Sequence, residues 1–168
     1  RVPFNIDIGV GDVIVPKPEH RKINTQLPDF ETPIIRTYSL ESTIAEKFDA
    51  ILQRFELTSR MKDFYDIYYL SRTFDFEGAK LQAAIFETLQ RRSTPYDRDS
   101  FKRVVALAED VDIQKRWKHF LKTIKDETLE FSFVIAVMQA FLEPVFNAIV
   151  NEDEWFCFWE SSHNVWIT

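Results

Sequence analysis

Two segments of this chain bring charged residues up to apolar helical faces, where they could do chemistry. Lys47 lies at the edge of the first apolar stripe, and Arg60, Lys62, Asp63 and Asp66 lie in the second segment. An unpaired buried charge costs several kcal/mol, so these residues must either pair with each other or act on a ligand. Spacing alone leaves two interpretations open. One is an ion pair between Lys47 and an aspartate, which needs no catalysis, and the other is a functional site.

Asp7 is a further carboxylate in an unusual place. It lies between Ile6 and Ile8 in a segment that alternates between apolar and other residues, and the interior of a strand disfavours aspartate. A solvent-facing residue on a half-exposed strand explains the pattern. So does a carboxylate that holds a divalent cation, because Mg²⁺ prefers hard oxygen ligands. The residues around Asp7 leave both interpretations open.

The helix that carries Lys47 must begin shortly before it. Ser39 is a weak candidate for the N-cap, and Ser42 or Thr43 could also start the helix. Apolar residues then recur at helical spacing and define one buried face. Lys47 falls at the margin of this face, whereas Glu46 points nearly the other way.

The second helix is predicted over residues 60–73 and carries the other charged residues. Its apolar residues cover nearly all of its sides, which predicts a helix buried between two layers. Asp63 and Asp66 lie three residues apart and therefore share one side of the helix. We expect that side to face a cleft or the interior rather than open water.

The rest of the chain divides into a short β portion and a longer helical portion. Alternating residues predict sheet over residues 3–15 and a strand over 33–38, with a polar loop from Glu19 to Pro33. Further helices are predicted over 76–91, 99–108, 112–125 and 129–149, and the Trp-rich tail predicts a hairpin or strand that closes onto the core. We therefore predict an α+β fold, with a β portion over residues 1–38 and a helical region over 39–168.

The composition favours a globular protein of the cytoplasm. The chain has 168 residues, 45% of them hydrophobic and 15% aromatic, which predicts one domain with a sizeable core and argues against disorder. Its net charge of −6 argues against a uniformly basic nucleic-acid coat. Cys157 is the single cysteine and forms no internal disulfide, so a reducing cytoplasm is the default location.

One apolar segment, Phe131 to Val150, is long enough to cross a membrane. It contains Glu143 beside Pro144, and a charged residue in the middle of a membrane is costly. We interpret the segment as a buried core helix that is kinked or ends near Pro144, and we expect no membrane partner.

A basic stretch suggests a rival function. Its cations could bind nucleic acid, although a solvated helix face is the simpler interpretation, because exposed lysines are common on helices. The residues are Lys115, Arg116, Lys118, Lys122 and Lys125. The three histidines lie far apart and suggest no metal site.

Three motifs follow one another in the first half of the chain. They are Ile6-Asp-Ile-Gly-Val-Gly-Asp12, Glu41-Ser-Thr-Ile-Ala-Glu-Lys47 and Ser59-Arg-Met-Lys-Asp-Phe-Tyr-Asp66. In this order they resemble the nucleotidyltransferases of the AbiEii/AbiGii abortive-infection toxin family. The resemblance is clear over about residues 4–72, and the helical remainder is similar in general character.

The resemblance implies nucleotidyl transfer by a toxin that a cognate antitoxin counters. Members of this family are similar to polymerase-β-type enzymes, which use Mg²⁺ to move a nucleotide from an NTP onto an acceptor, in some members the 3′ end of tRNA. By resemblance, Asp7 is a metal carboxylate, Lys47 contacts the triphosphate, and Asp63 is an acid needed for activity. Asp66, Arg60 and Lys62 are further site residues, which shape the same pocket or contact the nucleotide.

The chain also departs from the family pattern. The family carries an N-terminal Gly-rich turn followed by an Asp-x-Asp pair, which supplies the first two metal carboxylates, and only six residues precede Asp7. We therefore expect a C-terminal portion of a longer protein, or a truncated relative, that transfers nothing alone, since a single carboxylate is a weak Mg²⁺ site. A non-catalytic interaction domain or remnant of the fold, and a helical RNA-binding module, are the alternatives.

Overall fold

Helices dominate the part of the chain that the structure describes. The computed structural model describes residues 15–25, 29–55 and 60–168. In chain order its elements are β1 (Glu19–Lys22), β2 (Ile34–Thr37), α1 (Leu40–Arg54), α2 (Met61–Thr73), β3 (Phe76–Glu77), α3 (Gly78–Arg92), α4 (Ser100–Ala106), a 3₁₀ turn (Leu107–Glu109), α5 (Val111–Ile124), α6 (Phe131–Asn151), β4 (Phe158–Glu160) and β5 (Val165–Ile167). Of the residues in these ranges, 61% are helical and 11% are in strands, which confirms the α+β class with a mostly helical region.

The start of α1 is held by two serines. The Ser39 hydroxyl accepts a hydrogen bond of 3.0 Å from the backbone N–H of Ser42 and so caps the helix. The Ser42 hydroxyl donates to the carbonyl of Val15 at 2.8 Å and accepts from the N–H of Val15 at 3.0 Å. Because Ser42 is buried, these bonds attach the start of α1 to the segment that precedes β1.

α6 is the central helix of the core. Its buried residues pack against α2, α3 and α4, and the rings of Phe141 and Phe146 lie within 6 Å of aromatic rings from other elements. The helix is long and apolar enough to cross a membrane by length and composition, but 56% of its apolar window is buried within the fold. It therefore serves as the core helix that the sequence predicts.

Pro144 does not end α6, which continues to Asn151. The alternative in which the helix stops near Pro144 is therefore wrong. A proline inside a helix removes one backbone hydrogen bond. Val145, Phe146 and Ile149 are buried after the proline, and their burial outweighs that loss.

The first sheet consists of β1 and β2, and the sequence predicted only the second of these strands. β2 confirms the strand expected at residues 33–38, whereas β1 lies in the segment predicted as a loop. The strands are antiparallel, with Glu19 opposite Thr37 and Lys22 opposite Ile34. β1 consists of exposed, polar residues, so it forms by backbone pairing and has no apolar alternation to reveal it. Of the sheet expected over residues 3–15, residues 3–14 lie outside the described residues, and Val15 lies in a bend rather than a strand.

The Trp-rich tail closes onto the core as an antiparallel hairpin, as predicted, and β3 adds a third strand to it. The buried Trp159 donates its Nε1–H to the carbonyl of Ser71 at 2.6 Å. The predicted helix start at Phe76 is wrong, because Phe76 pairs with Trp159 in β3. α3 begins at Gly78, where an added Cβ would lie 2.5 Å from the carbonyl oxygen of Cys157.

The remaining helices lie close to their predicted bounds, with two differences. The helix expected over 99–108 divides into α4 and the following 3₁₀ turn. α2 packs between α1, α5 and α6 but is less buried than predicted, because Tyr69 is half-exposed. Tyrosine tolerates this position because its hydroxyl can remain in water.

Candidate functional site

Predicted site residues from two helices converge on one pocket. Lys47 of α1, Arg60 at the N-cap of α2 and Asp63 in the first turn of α2 line a cavity of about 370 Å³. Its other lining residues are Tyr38, Thr43, Glu46, Ala50 and Arg92. We call this cavity the Lys47 pocket. The two segments that carry its charges lie next to each other because α1 and α2 pack together.

Lys47 lies between the two predicted aspartates. Its Nζ is 3.2 Å from Asp63 Oδ1 and 2.5 Å from Asp66 Oδ2, and the exposed fractions of the three side chains are 19%, 11% and 19%. The ion pair that the sequence left open is therefore present. It fixes the ammonium group at the wall of the pocket and ties α1 to α2 across their packed faces.

Asp63 has one oxygen that is incompletely satisfied. Oδ1 accepts the hydrogen bond from Lys47, and Arg60 Nε lies 3.5 Å from Oδ2. Among the described residues nothing donates a hydrogen bond to Oδ2, although this atom is buried. A buried carboxylate oxygen without a donor carries a desolvation cost and is a common feature of sites that take a ligand or cation.

Lys62 and Asp66 occupy a different position from the pocket lining. Lys62 is exposed and lies 2.6 Å from Asp66 Oδ2, so this carboxylate contacts two lysines. Neither residue lines the Lys47 pocket. Asp66 therefore affects the pocket only by its contact with Lys47, and Lys62 lies on the surface beside the pocket. Asp7 lies outside the described residues.

Two charged residues of the pocket were not predicted from the sequence. Glu46, expected to point away from the face of Lys47, lines the same cavity. Thr43, Glu46, Lys47 and Ala50 are spaced by three, one and three residues, which defines one helical face and was the available signal. Arg92 comes from the last turn of α3 and forms an ion pair with Glu46; only the packing of α3 on α1 brings it there.

Arg92 also forms an ion pair with a buried carboxylate that does not line the pocket. Asp49 is fully buried, and Arg92 Nε lies 3.6 Å from its Oδ2. Gln53 donates to Asp49 Oδ2 at 3.0 Å, and the Thr94 hydroxyl donates to Oδ1. Burial raises the pKa of Asp49 above its ordinary value of 3.8, although the hydrogen bond from Thr94 and the charge of Arg92 oppose this effect.

A basic groove adjoins the Lys47 pocket. It has a volume of about 530 Å³, and Arg60 lines both cavities. Arg60, Lys62, Lys115, Arg116 and His119 line this groove together with apolar and neutral residues of α2 and α5. We call it the α2–α5 groove. The other lysines of the basic stretch, Lys118, Lys122 and Lys125, are exposed but do not line it.

Within residues 15–25, 29–55 and 60–168, no group of three or more His, Cys, Asp or Glu side chains could hold a metal ion. The carboxylates of Asp63 and Asp66 are engaged by lysines instead. The described residues alone therefore do not fit a metal centre.

Comparison with known families gives one clear match. The family model described as "Nucleotidyl transferase AbiEii toxin, Type IV TA system" matches residues 1–151 of the 168. The match covers α1 and α2, and thus Lys47, Arg60 and Asp63, and extends through α6. No curated protein and no solved structure matches the chain significantly.

Proposed function

The chain belongs to the AbiEii family of nucleotidyl transferase toxins of type IV toxin–antitoxin systems, and we propose that its Lys47 pocket binds the triphosphate of an NTP during nucleotidyl transfer. One observation carries the proposal: Lys47, Arg60 and Asp63, from two different helices, line the same open pocket. A structural ion pair alone would not require an adjoining cavity lined by two further cations. The family also implies a cognate antitoxin.

Lys47 suits a role as a point charge for phosphate. Lysine is a compact cation that binds phosphate without the fixed fork geometry of arginine. The contacts with Asp63 and Asp66 hold its ammonium group in place before a substrate arrives. A charge that is already positioned needs little reorganisation when negative charge develops during the reaction.

Arg60 and Arg92 extend the positive edge of the pocket. Both line it from outside α1, one at the start of α2 and the other at the end of α3. Arginines at these positions can contact phosphate oxygens or the sugar while Lys47 contacts the phosphate between them. Asp63 positions Lys47 and Arg60 together, because its two oxygens face one cation each.

By resemblance to the family, Asp7 would be a carboxylate ligand of Mg²⁺. When bound, the metal would orient the triphosphate and the attacking hydroxyl and offset developing charge. The described residues do not form a metal centre by themselves. The roles of Lys47, Arg60 and Arg92 are therefore confined to binding and orienting phosphate.

The acceptor is proposed to be RNA, with the 3′ end of tRNA as the candidate that the family resemblance suggests. The α2–α5 groove supports this choice, because it adjoins the Lys47 pocket and carries several cations. A polyanionic strand in this groove could place its end near the nucleotide. Electrostatic contacts with phosphates dominate such binding and make it sensitive to salt. Because the net charge of the chain is −6, we expect RNA to bind a local basic surface rather than the protein surface as a whole. We place the protein in the cytoplasm, where these substrates are found.

The alternative function is a non-catalytic interaction domain that keeps the fold. The Lys47–Asp63–Asp66 cluster favours it to the extent that the three residues already satisfy much of one another's charge. In that case the cluster joins α1 to α2 and the pocket has no substrate.

Nucleotide transfer by the complete natural protein tests the proposal. The protein is incubated with total tRNA, Mg²⁺ and each labelled NTP. We expect label on RNA with the complete protein and its loss in Lys47→Met and Asp63→Asn. Lys80→Met is the matched control, since Lys80 forms an exposed pair with Glu77 outside the pocket. No label from folded wild-type protein with any NTP would support the interaction domain instead.

A further inference from the structure

A third cavity lies away from the proposed nucleotide site. Its volume is about 550 Å³, it lies between the first half of α3 and the end of α6, and it shares no lining residue with the Lys47 pocket or the α2–α5 groove. Ala79, Ala83 and Ala148 contribute small side chains to its lining. We call it the α3–α6 groove. Small residues at a helical surface let another helix approach closely.

The rim of the α3–α6 groove exposes two phenylalanines. Phe156 is 75% exposed and Phe86 is 42% exposed. Ala79, Ala83 and Phe86 follow one another at spacings of four and three residues, so they form one outward stripe along α3. Single exposed apolar residues are ordinary, but a stripe beside a cavity indicates a surface that binds a partner.

One end of the α3–α6 groove is strongly acidic. Glu152, Asp153 and Glu154 line it, all three are exposed, and none forms an ion pair with another described residue. Gln82 holds this segment against α3. Its Nε2 donates to the carbonyl of Asp153 at 2.6 Å, and its Oε1 accepts from the N–H of Trp155 at 2.9 Å. The carboxylates are therefore attached to a fixed backbone.

We propose that the α3–α6 groove binds a basic amphipathic helix of a partner protein. The apolar face of such a helix would pack on the alanine floor between Phe86 and Phe156, and its Lys or Arg residues would face the three carboxylates. The combination of apolar and acidic residues selects this occupant. An acidic segment would be repelled by the three carboxylates, and a uniformly polar segment would leave the phenylalanines in water. This partner site is independent of the nucleotide-handling role of the Lys47 pocket.

A designed peptide tests this proposal without knowledge of the natural partner. The probe is a peptide of about 18 residues with leucines on one helical face and lysines on the other, long enough to span the groove. It is titrated into the chain while the alanine methyl signals are followed by NMR, and binding is measured by calorimetry. A peptide with glutamate in place of every lysine is the charge control. We expect saturable binding of the lysine peptide and shifts centred on Ala79, Ala83 and Ala148.

Matched variants separate the groove from general attraction to an acidic protein. Phe156→Ser removes the most exposed wall, and we expect at least about tenfold weaker binding, as for an apolar anchor at an interface. Phe30→Ser changes a residue of similar exposure (64%) outside the groove and leaves binding unchanged. Neutralising Glu152, Asp153 and Glu154 as amides weakens binding as well. The proposal is overturned by wild-type affinity in Phe156→Ser, by equal binding of the glutamate peptide, by shifts spread elsewhere, or by no saturable binding.

Discussion

Removing the Lys47 ammonium group should weaken the fold moderately and stop nucleotide transfer. Lys47→Met keeps most of the apolar stem and deletes the charge between Asp63 and Asp66. Exposed ion pairs contribute at most about 1 kcal/mol, and breaking a buried pair costs about 3–5 kcal/mol. These side chains are mostly buried, but Arg60 and Lys62 remain next to the two carboxylates. We therefore expect a loss of about 1–3 kcal/mol in the free energy of unfolding.

The effect on transfer should be much larger than the effect on the folded fraction. Loss of one positioned electrostatic group in an active site commonly lowers turnover by about 100-fold or more. Urea unfolding gives the free energy, and labelled NTP with tRNA gives the transfer rate of the complete protein. Lys80→Met is the control, because its pair with Glu77 is half-exposed, and it should change stability by less than about 0.5 kcal/mol.

Two outcomes would refute this reasoning in different ways. If Lys47→Met loses stability as expected but its folded fraction transfers at the wild-type rate, the cluster is only a link between α1 and α2. If neither stability nor transfer changes, the short contacts to Asp63 and Asp66 carry no energy. A double-mutant cycle with Asp63→Asn isolates the pair, and we expect a coupling energy of about 1–2 kcal/mol.

Three further predictions concern other parts of the described structure. Burial raises the pKa of Asp49 in the folded protein. As pH rises, the unfolded chain therefore loses the Asp49 proton before the folded protein does. The free energy of unfolding of wild type, relative to that of Asp49→Asn, should fall from pH about 3.8 upward and then become constant. Urea unfolding across this pH range checks it, and a rise with pH would contradict it. Ser39→Ala removes the N-cap of α1 and should cost about 1 kcal/mol in the same assay; no change would show that the cap is dispensable. Lys115→Ala with Arg116→Ala should flatten the salt dependence of tRNA binding, by about 0.7 in the logarithmic slope for each RNA phosphate that the variant no longer neutralises. Filter binding at several salt concentrations measures this slope, and an unchanged value would place RNA elsewhere.

The helices of the fold were predictable because their apolar residues repeat at helical spacing. α2, α5 and α6 begin and end close to the residues that this pattern indicates. β1 was not, because its exposed polar residues show no apolar alternation, and β3 was not, because the strand that it pairs with lies far away in the chain. Phe76 illustrates the point, since its pairing with Trp159 joins residues far apart in the chain. Local pattern carries no information about such a partner.

The same distinction between local pattern and tertiary packing applies to the candidate site. An ion pair of Lys47 with Asp63 or Asp66 was one of the two interpretations that the sequence left open, because these charges lie beside apolar helical faces, and the structure contains this pair. Arg92 could not, because its approach to Glu46 depends on how α3 packs on α1. Glu46 was misplaced for a related reason: the pocket is wide enough to take in two adjacent residues of α1. Adjacent residues of a helix point only about 100° apart, so one face can include both Glu46 and Lys47.

The charge of the Lys47 pocket predicts how a nucleotide should bind. Lys47, Arg60 and Arg92 line it with Glu46 and Asp63, which leaves a formal balance of one positive charge. Asp66, which also contacts Lys47, cancels that charge. A triphosphate carries several negative charges, so a nearly neutral pocket should bind it weakly unless additional positive charge is present.

The divalent cation that the proposal assigns to Asp7 would supply this charge. We therefore expect the affinity of the complete protein for a non-hydrolysable NTP to fall at least about tenfold when EDTA replaces Mg²⁺, a difference of about 1.4 kcal/mol. Calorimetric titration measures both affinities, and Asp7→Asn should reduce the difference between them while Lys80→Met preserves it. Equal affinities for wild type in Mg²⁺ and EDTA would mean that Lys47, Arg60 and Arg92 overcome the nearby carboxylates unaided. The contacts of Lys47 with Asp63 and Asp66 would then have to break when the nucleotide binds.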